Sequence, residues 1–351
     1  MFKHFFDLLL YSLSIIGAIV GVGFVSGKEI VSFFFCAGKY GVIIIGLSCL
    51  VLFCCLYITM KNIYIKNIHK NKMCNIEINN VKINTKTSYL SVIMNKIVGI
   101  LCLIISATMI GGIDVLLLTL GWNNQILRKV FVLILLFFEY YILTKKSQNI
   151  LKTSEICTIF LIVIMIICVF CNFDNGVVEY ENSLGFSGIF MHGLFSVVSY
   201  VSMNMLSVRS IIKDISNKCV SKKQIVVISA LASVLLFVLM MLVFFVLSVN
   251  SSVAYSSMPL LMLAQNVSRL FFFVYIIILF IGCFVSLLAV SYSGISELCG
   301  DNNYSIFNVG IYFIVASILS LIGFDFLVGY GYKIIGIVYL VLLVLLKKCK
   351  K

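Results

Sequence analysis

The chain has 351 residues, of which 62% are hydrophobic and only 11% are charged, and its mean hydropathy is +1.17. A soluble domain of this size needs far more surface charge, so the composition excludes an ordinary water-soluble protein and favours one embedded in a lipid bilayer. The formal net charge of +13 does not indicate a nucleic-acid partner, because the basic residues are distributed as they are in membrane proteins.

A helix needs about 20 apolar residues to cross the hydrocarbon core, and segments of roughly that length recur ten times along the chain. The predicted spans are, in chain order, Leu8–Phe35, Gly41–Met60, Ile97–Leu120, Ile126–Thr144, Ile156–Phe173, Gly188–Ile212, Ile225–Val249, Leu270–Ser291, Ile306–Ile322 and Leu327–Leu346. We therefore expect an all-α integral membrane protein with about ten transmembrane helices, in which residues 1–351 form one membrane domain. The hydrophilic stretch 61–95 is expected to be a cytoplasmic loop.

The lysines and arginines lie mostly in loops that share one side of the predicted membrane. These loops include the segments 61–96 and 209–223 and the C-terminal tail, whereas the loops of the opposite side hold few basic residues. Cytoplasmic loops of membrane proteins carry the excess of Lys and Arg, so both termini are predicted to be cytoplasmic. The expected location is the cell membrane, which the chain crosses several times.

The first predicted span contains Gly21-Val-Gly23-Phe-Val-Ser26-Gly27, a glycine-rich run at membrane depth. Each glycine weakens a helix by about 1 kcal/mol relative to alanine, so the run predicts an unwound segment. Released backbone groups are tolerated within a membrane only where they line a cavity or are buried in protein. Gly21, Gly23 and Ser26 are therefore candidate substrate-binding residues, whose backbone would bind a carboxylate or an ion. The alternative is close packing of helices at small residues.

The sixth predicted span carries a polar run at a comparable distance from its start. The candidate substrate-binding residues of this run are Ser199, Tyr200, Ser202 and Asn204. Ser and Asn side chains compete for backbone hydrogen bonds, so a second break is predicted here, although bonding between helices is an alternative role for them. Interrupted helices at matching positions of two inverted halves indicate the central site of a transporter. The halves, residues 8–173 and 188–346, contain five predicted spans each.

Charged residues follow the glycine-rich run, at a depth where a lone charge costs at least about 2.5–3.5 kcal/mol. Lys28 and Glu29 must therefore face a partner or water, and Asp114 on the third span lies at a similar depth. We expect Lys28 to pair with Asp114, because neighbours in sequence do not face each other on a helix. Lys28, Glu29 and Asp114 are interpreted as an outer gate; a purely structural ion pair is the alternative.

The run Gly21-Val-Gly23-Phe24-Val-Ser26-Gly27-Lys28-Glu29-Ile-Val-Ser-Phe33-Phe34 resembles the first-helix signature of the YkvI-like membrane proteins. Met109-Ile-Gly111-Gly112 and Leu120-Gly121 on the third span are also similar to that family, whereas Asp114 departs from its pattern. The family is regarded as a group of amino-acid permeases in the amino acid–polyamine–organocation superfamily, with the LeuT fold. The resemblance implies a 5+5 inverted repeat and a transport function, but no particular substrate.

A LeuT-like sodium site would combine carbonyls of the first span with hydroxyls of the eighth, where Ser286 is the best-placed ligand. No lysine lies in the middle of the fifth span to replace a sodium ion, so Na⁺ and H⁺ both stay open as the coupling ion. Glu139 and Glu155 lie near the cytoplasmic ends of the fourth and fifth spans, where pairing with nearby lysines is expected and proton relay is the alternative. Asp325 and Lys333 flank the outer end of the tenth span and are expected at the interface, with a role in the gate as the alternative.

These features predict a secondary active transporter of a small polar solute, an amino acid or a related amine, that works by alternating access with ion coupling. A ligand-sensing receptor subunit on the same fold, like the germinant receptors of spore formers, would bind a solute without net transport and is the alternative. An enzyme is not expected, because the three histidines are His4, His69 and His192 and none lies mid-span. No catalytic residue, metal site or cofactor is predicted, and the sequence leaves the substrate, the direction of transport and the oligomeric state open.

Overall fold

A computed structural model describes residues 2–76, 89–144, 148–172, 186–300 and 305–348, and these segments contain helices and turns but no strand. The α-helices are α1 Phe2–Ile19, α2 Val22–Val25, α3 Lys28–Phe34, α4 Gly41–Ile76, α5 Tyr89–Thr119, α6 Gln125–Thr144, α7 Gln148–Cys171, α8 Phe186–Ser207, α9 Arg209–Lys218, α10 Lys222–Val249, α11 Ser251–Ala254, α12 Pro259–Val267, α13 Arg269–Cys299, α14 Ile306–Leu319, α15 Phe324–Phe326 and α16 Tyr332–Lys348. Short 3₁₀ helices cover Phe35–Tyr40 and Ser320–Ile322, and a π-helical turn covers Leu327–Gly331.

Six helical segments of the described residues are long and apolar enough to cross a membrane. They are Lys28–Ile68, Val92–Thr119, Gly188–Ser207, Lys222–Val249, Arg269–Cys299 and Phe324–Leu345. Three shorter apolar helices coincide with other predicted spans, at Phe5–Ile19, Ile156–Cys171 and Ile306–Ile322. The fourth predicted span forms α6, a 20-residue helix that carries three charged side chains. The chain is thus a multi-pass helical membrane protein, while the ten-span count and the inverted repeat stay predictions.

Helix α13 lies at the centre of the fold, where it packs against α5, α7 and α1. Around this centre α16 packs against α8, and α10 packs against α4 and α1. Large apolar side chains also point outward, for example Phe137 and Phe138 on α6, which are 68% and 57% exposed. Such a surface suits lipid acyl chains, because the bilayer is as apolar as these side chains.

The hydrophilic stretch 61–95, predicted to be a cytoplasmic loop, is partly helical. Helix α4 continues to Ile76 and α5 begins at Tyr89, while residues 77–88 lie outside the described part of the chain. The helical extension of α4 is anchored by tertiary contacts, since the Tyr64 hydroxyl donates to the carbonyl of Val220 at 2.7 Å. The drop in hydrophobicity after Met60 marks the end of the predicted span, but helix α4 continues beyond it.

Two short helices, α11 and α12, occupy the connection between α10 and α13, where the sequence predicted only a loop. Pro259, the single proline of the chain, stands at the start of α12. Proline fits the first helical turn because its fixed φ is helical and its missing N–H would have no acceptor there. Helix α12 packs against α13 and α7, so it covers the centre of the molecule at one end.

Candidate substrate-binding site

The first predicted span is interrupted twice, as the glycine-rich run predicted. Helix α1 ends at Ile19, and Gly21 has an extended backbone (φ −89°, ψ −169°) before the single turn of α2. Gly27 then takes a left-handed conformation (φ +83°), which a residue with a side chain rarely adopts, and α3 begins at Lys28. The prediction of an unwound segment between Gly21 and Gly27 is confirmed.

The backbone of this unwound segment is held by neighbouring helices. The Tyr275 hydroxyl on α13 donates to the carbonyl of Val25 at 2.7 Å, and the Leu260 N–H of α12 donates to the carbonyl of Ser26 at 2.9 Å. The Ser26 hydroxyl itself donates back to the carbonyl of Gly23 at 3.1 Å. These bonds satisfy carbonyls that a continuous helix would have paired internally, so the break is a stable part of the fold.

Gly21 lies in close contact with the third and eighth predicted spans. A Cβ atom on Gly21 would lie 2.6 Å from Met109 Cε and 3.0 Å from Ser286 Oγ, so only glycine fits without a shift of these side chains. The Ser286 hydroxyl lies 3.2 Å from Met109 Sδ and donates to the carbonyl of Gly282 at 2.8 Å. The structure therefore brings Ser286 to the break, as expected of an ion ligand, and its role in ion binding stays a prediction.

The Glu29 carboxylate lies at the break and not at the outer surface. Glu29 is 1% exposed, and a Cβ atom on Gly23 would lie 3.0 Å from Glu29 Oε2 and 3.5 Å from the Tyr332 ring. Among the described residues Glu29 Oε1 has no hydrogen-bond partner. The side chain that the sequence analysis assigns to the outer gate thus lies beside the backbone of Gly23.

Tyr200 joins α8 to this site. Its ring is fully buried and packs edge-on against Phe33 and Phe34 of α3, with ring centroids 5.4 Å and 5.2 Å apart. The Tyr200 hydroxyl makes no hydrogen bond to the described residues and lies within electrostatic range of Glu29. The first and sixth predicted spans therefore meet, as expected, through aromatic contacts.

Tyr332 is a site residue that the sequence analysis missed. Its hydroxyl lies 2.6 Å from Thr108 Oγ1 on α5. Its ring lies next to Gly23, on which a Cβ atom would contact both this ring and the Glu29 carboxylate. The signal available in the sequence was weak, because Tyr332 is one aromatic residue among many in an apolar span. Its position follows from the π-helical turn Leu327–Gly331, which shifts the register at the start of α16.

The predicted break of the sixth span at Ser199–Asn204 is wrong. Helix α8 runs unbroken to Ser207, and the interruption comes at Val208 (φ −90°, ψ 0°), before α9. The Ser199 hydroxyl donates to the Phe195 carbonyl at 2.7 Å, and the Asn204 amide donates to the Tyr200 carbonyl at 3.0 Å. Side chains that bond to the carbonyl four residues back leave the helix intact, whereas the prediction assumed that they would open it.

The other predicted residues of this run are buried on α8 but are not all turned toward the break. The carbonyl of Ser199 faces Gly336 of α16 so closely that a Cβ atom on Gly336 would overlap it. Ser202 is 5% exposed and Asn204 1%. Their assignment to substrate binding stays a prediction, and Tyr200 is the member of the run with contacts to α3.

The predicted pairing of Lys28 with Asp114 is wrong. Lys28 Nζ lies 3.2 Å from Asp325 Oδ1 and donates to the carbonyl of Ser256 at 3.1 Å, and the Ser257 hydroxyl donates to Asp325 Oδ2 at 2.7 Å. The left-handed turn at Gly27 redirects the chain, so Lys28 points to α15 and the connection before α12. The sequence analysis favours an interfacial position for Asp325 over a gate role, and the structure pairs it with Lys28.

Asp114 is paired with the helix that follows it in the chain. Arg128 Nε lies 3.1 Å from Asp114 Oδ1, and Lys129 Nζ lies 4.0 Å from the same oxygen. The turn at Gly121 and the residues after it bring the start of α6 back beside the end of α5. The partners of Asp114 are therefore basic residues on the next helix of the chain. Arg128 and Lys129 stand 14 and 15 positions after Asp114 in the chain, and the sequence alone did not identify them as its partners.

A further ion pair joins helices at the C-terminal end of α13. Arg209, the first residue of α9, lies with Nε 2.7 Å from Glu297 Oε1 near the end of α13. The Tyr339 side chain of α16 also contacts Arg209, so three helices meet there. Glu297 follows Ser286 by 11 residues on α13, which at 1.5 Å per residue is about 16 Å.

The described segments contain no group of three or more His, Cys, Asp or Glu side chains that could hold a metal ion. No protein-family model and no curated protein sequence matches the chain. Among solved structures, the chain is similar to a manganese transporter from Eremococcus coleocola, crystallised with an aromatic bis-isothiourea substituted compound. The two share 17% sequence identity with a TM-score of 0.46, over 99% of this chain and 73% of that chain. Similarity of this degree carries no conclusion about substrate, and the resemblance to the YkvI-like family stays unconfirmed.

Proposed function

We propose that this protein is a secondary active transporter of a small polar solute with a cationic amino group, an amino acid or a related amine, and that it works by alternating access with ion coupling. The observation that carries the proposal is the buried Glu29 carboxylate, which points at the unwound segment Gly21–Ser26 inside a membrane protein. The bilayer and the small solute are the partners this requires.

The chemistry of the site favours a cation. A carboxylate removed from water needs a counter-charge or a proton, and Glu29 forms no ion pair with the described residues. An ammonium group has no acceptor atoms and three N–H donors, which match a carboxylate oxygen such as Glu29 Oε1 that has no partner among the described residues. The rings of Phe33, Phe34 and Tyr200 add aromatic surface that suits the apolar part of the solute. The Phe33 ring already has a cation, Lys333 Nζ, 5.8 Å from its centre.

The arrangement of ion pairs supports alternating access. The pair Lys28–Asp325 and the pair Arg209–Glu297 lie on either side of the Glu29 site, and each stands next to an interruption of a helix, at Gly27 and Val208. Helix interruptions are the positions where short segments rotate while the rest of a transporter moves as rigid bodies. Each pair can therefore close one path to the site while the other opens.

Net uptake by the purified protein in liposomes tests the proposal. We expect radiolabelled amino acids or amines to accumulate inside when an ion gradient is imposed, and the accumulation to collapse when an ionophore dissipates the gradient. Protein-free liposomes are the control. Binding without any uptake would favour the sensor function, and absence of both for every amino-bearing solute would contradict the proposal.

A further inference from the structure

A second buried carboxylate lies on α6, away from the broken helix. Glu139 is 1% exposed, and Oε2 has no hydrogen-bond partner among the described residues. The buried residues of α6 are Arg128, Val132, Leu136, Glu139 and Leu143. They recur every three or four positions, so they form the one face of α6 that is turned away from lipid. Glu139 thus lies in the interior, whereas the sequence analysis places it near the end of a span. Lys145 and Lys146 and the side chains of Lys152 and Glu155 lie outside the described part of the chain, so the pairing of these glutamates with lysines stays a prediction.

None of the ion pairs in the described part of the chain involves Glu139. Its titratable neighbours are the Cys283 thiol of α13 and the Tyr312 hydroxyl of α14, and Tyr312 is itself 2.8 Å from Ser106 Oγ of α5. The charged side chains of α5 are Lys96, which is exposed, and Asp114, which is bound to Arg128. From Ile156 onward, where its side chains are described, α7 has no charged residue.

An ionised carboxylate in this position would be costly, because even insertion scales assign about 2.5–3.5 kcal/mol to an Asp at the bilayer centre. One thiol and one phenol do not make the oxygen-rich or multi-ligand shell that a metal cation needs. A proton neutralises the carboxyl without further ligands. The position thus suits a group that is protonated in one state of the protein and gives up its proton when the surrounding helices move.

We propose that Glu139 is a proton-binding site. In each transport cycle Glu139 takes up one proton from one side of the membrane and releases it to the other, and this proton movement drives the transport of the solute bound beside Glu29. This inference rests on the proposed transport function, and it assigns H⁺ as the coupling ion. In the cycle the Glu139 O–H bond forms with a proton from water on one side and breaks to give a hydrated proton on the other, with no other reactant.

The two carboxylates are connected through side chains of the core. Cys283 lies within electrostatic range of both Glu139 and Tyr332, and Tyr332 flanks Glu29 at the broken helix. Helix α13 also carries Ser286, which contacts the break at Gly21. Helix α13 therefore carries side chains near both carboxylates, and a movement of α13 on binding at Glu29 would also change the surroundings of Glu139.

Reaction with dicyclohexylcarbodiimide tests the proton site without any transport assay, because this apolar reagent attaches to protonated carboxyl groups inside membranes. In the purified wild-type protein we expect an adduct on the peptide that contains Glu139, with a yield that falls as the pH rises. Glu139→Gln should lose this adduct and Glu29→Gln should keep it. No adduct at any pH, or a yield independent of pH, would overturn the proposal.

Uptake of a defined mixture of radiolabelled amino acids, with the membrane potential clamped at zero, tests coupling. One pH unit is worth 1.36 kcal/mol, so one proton per solute supports about tenfold accumulation in the wild type. Glu139→Gln keeps the shape of a protonated carboxyl, so it should lose accumulation but still exchange external label for internal solute, whereas Glu29→Gln should lose both. Accumulation by Glu139→Gln driven by the pH gradient would refute proton binding there. Failure of the wild type in uptake and exchange would instead contradict the proposed function.

Discussion

The residues of the site show why glycine is needed at the break. At Gly23 the backbone and the Glu29 carboxylate approach so closely that a side chain would stand between them, 3.0 Å from Oε2 at its first carbon. At Gly21 the limit is set by Met109, whose flexible side chain can move. Gly23 therefore carries the stricter requirement, because it faces the proposed solute.

Gly23→Leu should abolish uptake while the protein still inserts into the membrane. The leucine side chain would fill the space beside Glu29, and the cost of overpacking is typically about 1–3 kcal/mol, which a stable membrane domain can survive. The measurement is uptake per mole of protein that elutes as a single species in size-exclusion chromatography. Gly310→Leu is the matched control, since a Cβ atom on Gly310 meets no atom within 4 Å. If Gly23→Leu takes up solute at the rate of this control, Gly23 serves helix packing and not solute binding.

The element scale separates what the sequence could predict from what it could not. The run Gly21–Gly27 predicted its own break correctly, because glycine weakens a helix whatever its neighbours are. The serines of α8 wrongly predicted a second break. A hydroxyl can either open a helix or bond to a carbonyl within it, and the surrounding packing decides which of the two happens. The partners of Lys28 and Asp114 also escaped prediction, because the direction of α3 after Gly27 and the return of α6 are tertiary features.

A double-mutant cycle on Lys28→Ala and Asp325→Ala should reveal coupling between these residues. The Lys28 and Asp325 side chains are 18% and 51% exposed, so screening by solvent limits the expected coupling to about 0.2–1 kcal/mol of unfolding free energy. The same cycle on Lys28→Ala and Asp114→Ala is the control and should give none. If Lys28 couples to Asp114 and not to Asp325, the direction of α3 after Gly27 differs from the one described here.

Gly336→Ala should destabilise the contact between α8 and α16. A methyl group at this position would overlap the Ser199 carbonyl, and a backbone atom cannot move aside as a side chain can. We expect a loss of about 1–3 kcal/mol in unfolding free energy, measured by thermal or denaturant unfolding in detergent. Gly310→Ala, in open space on α14, should leave stability nearly unchanged. Equal stability of the two variants would show that the helices do not approach closely at Ser199.

At the scale of the whole molecule, hydropathy alone gave the class of the protein and the approximate position of most spans. It detects contact with lipid, so it missed α11 and α12, which pack against protein, and it cut α4 short where the helix leaves the apolar region. It also could not assign Glu139 to the interior, because a single acidic residue near a span end is usually interfacial. The membrane topology is predicted from the distribution of basic residues and does not depend on how the helices pack, so it is tested separately.

Both termini should be cytoplasmic. In a variant without other cysteines, Asn75→Cys and Lys350→Cys should resist a membrane-impermeant thiol reagent added to intact cells and react after the cells are opened. Gly121→Cys, in the turn after the third span, is the control that should react from outside. Labelling of either Asn75→Cys or Lys350→Cys in intact cells would reverse or break the predicted topology.

Thermal stabilisation of the purified protein by amino-bearing solutes tests the central claim most directly, namely that a cationic group binds beside Glu29. A ligand at about 100 times its dissociation constant should stabilise the folded state by about 2.7 kcal/mol, so a panel of amino acids, amines and inorganic cations can be ranked by the shift in melting temperature. We predict that at least one amino-bearing solute stabilises the wild type, that its analogue without the amino group does not, and that Glu29→Gln loses the shift. An unchanged shift in Glu29→Gln, or equal stabilisation by the analogue that lacks the amino group, would contradict the account.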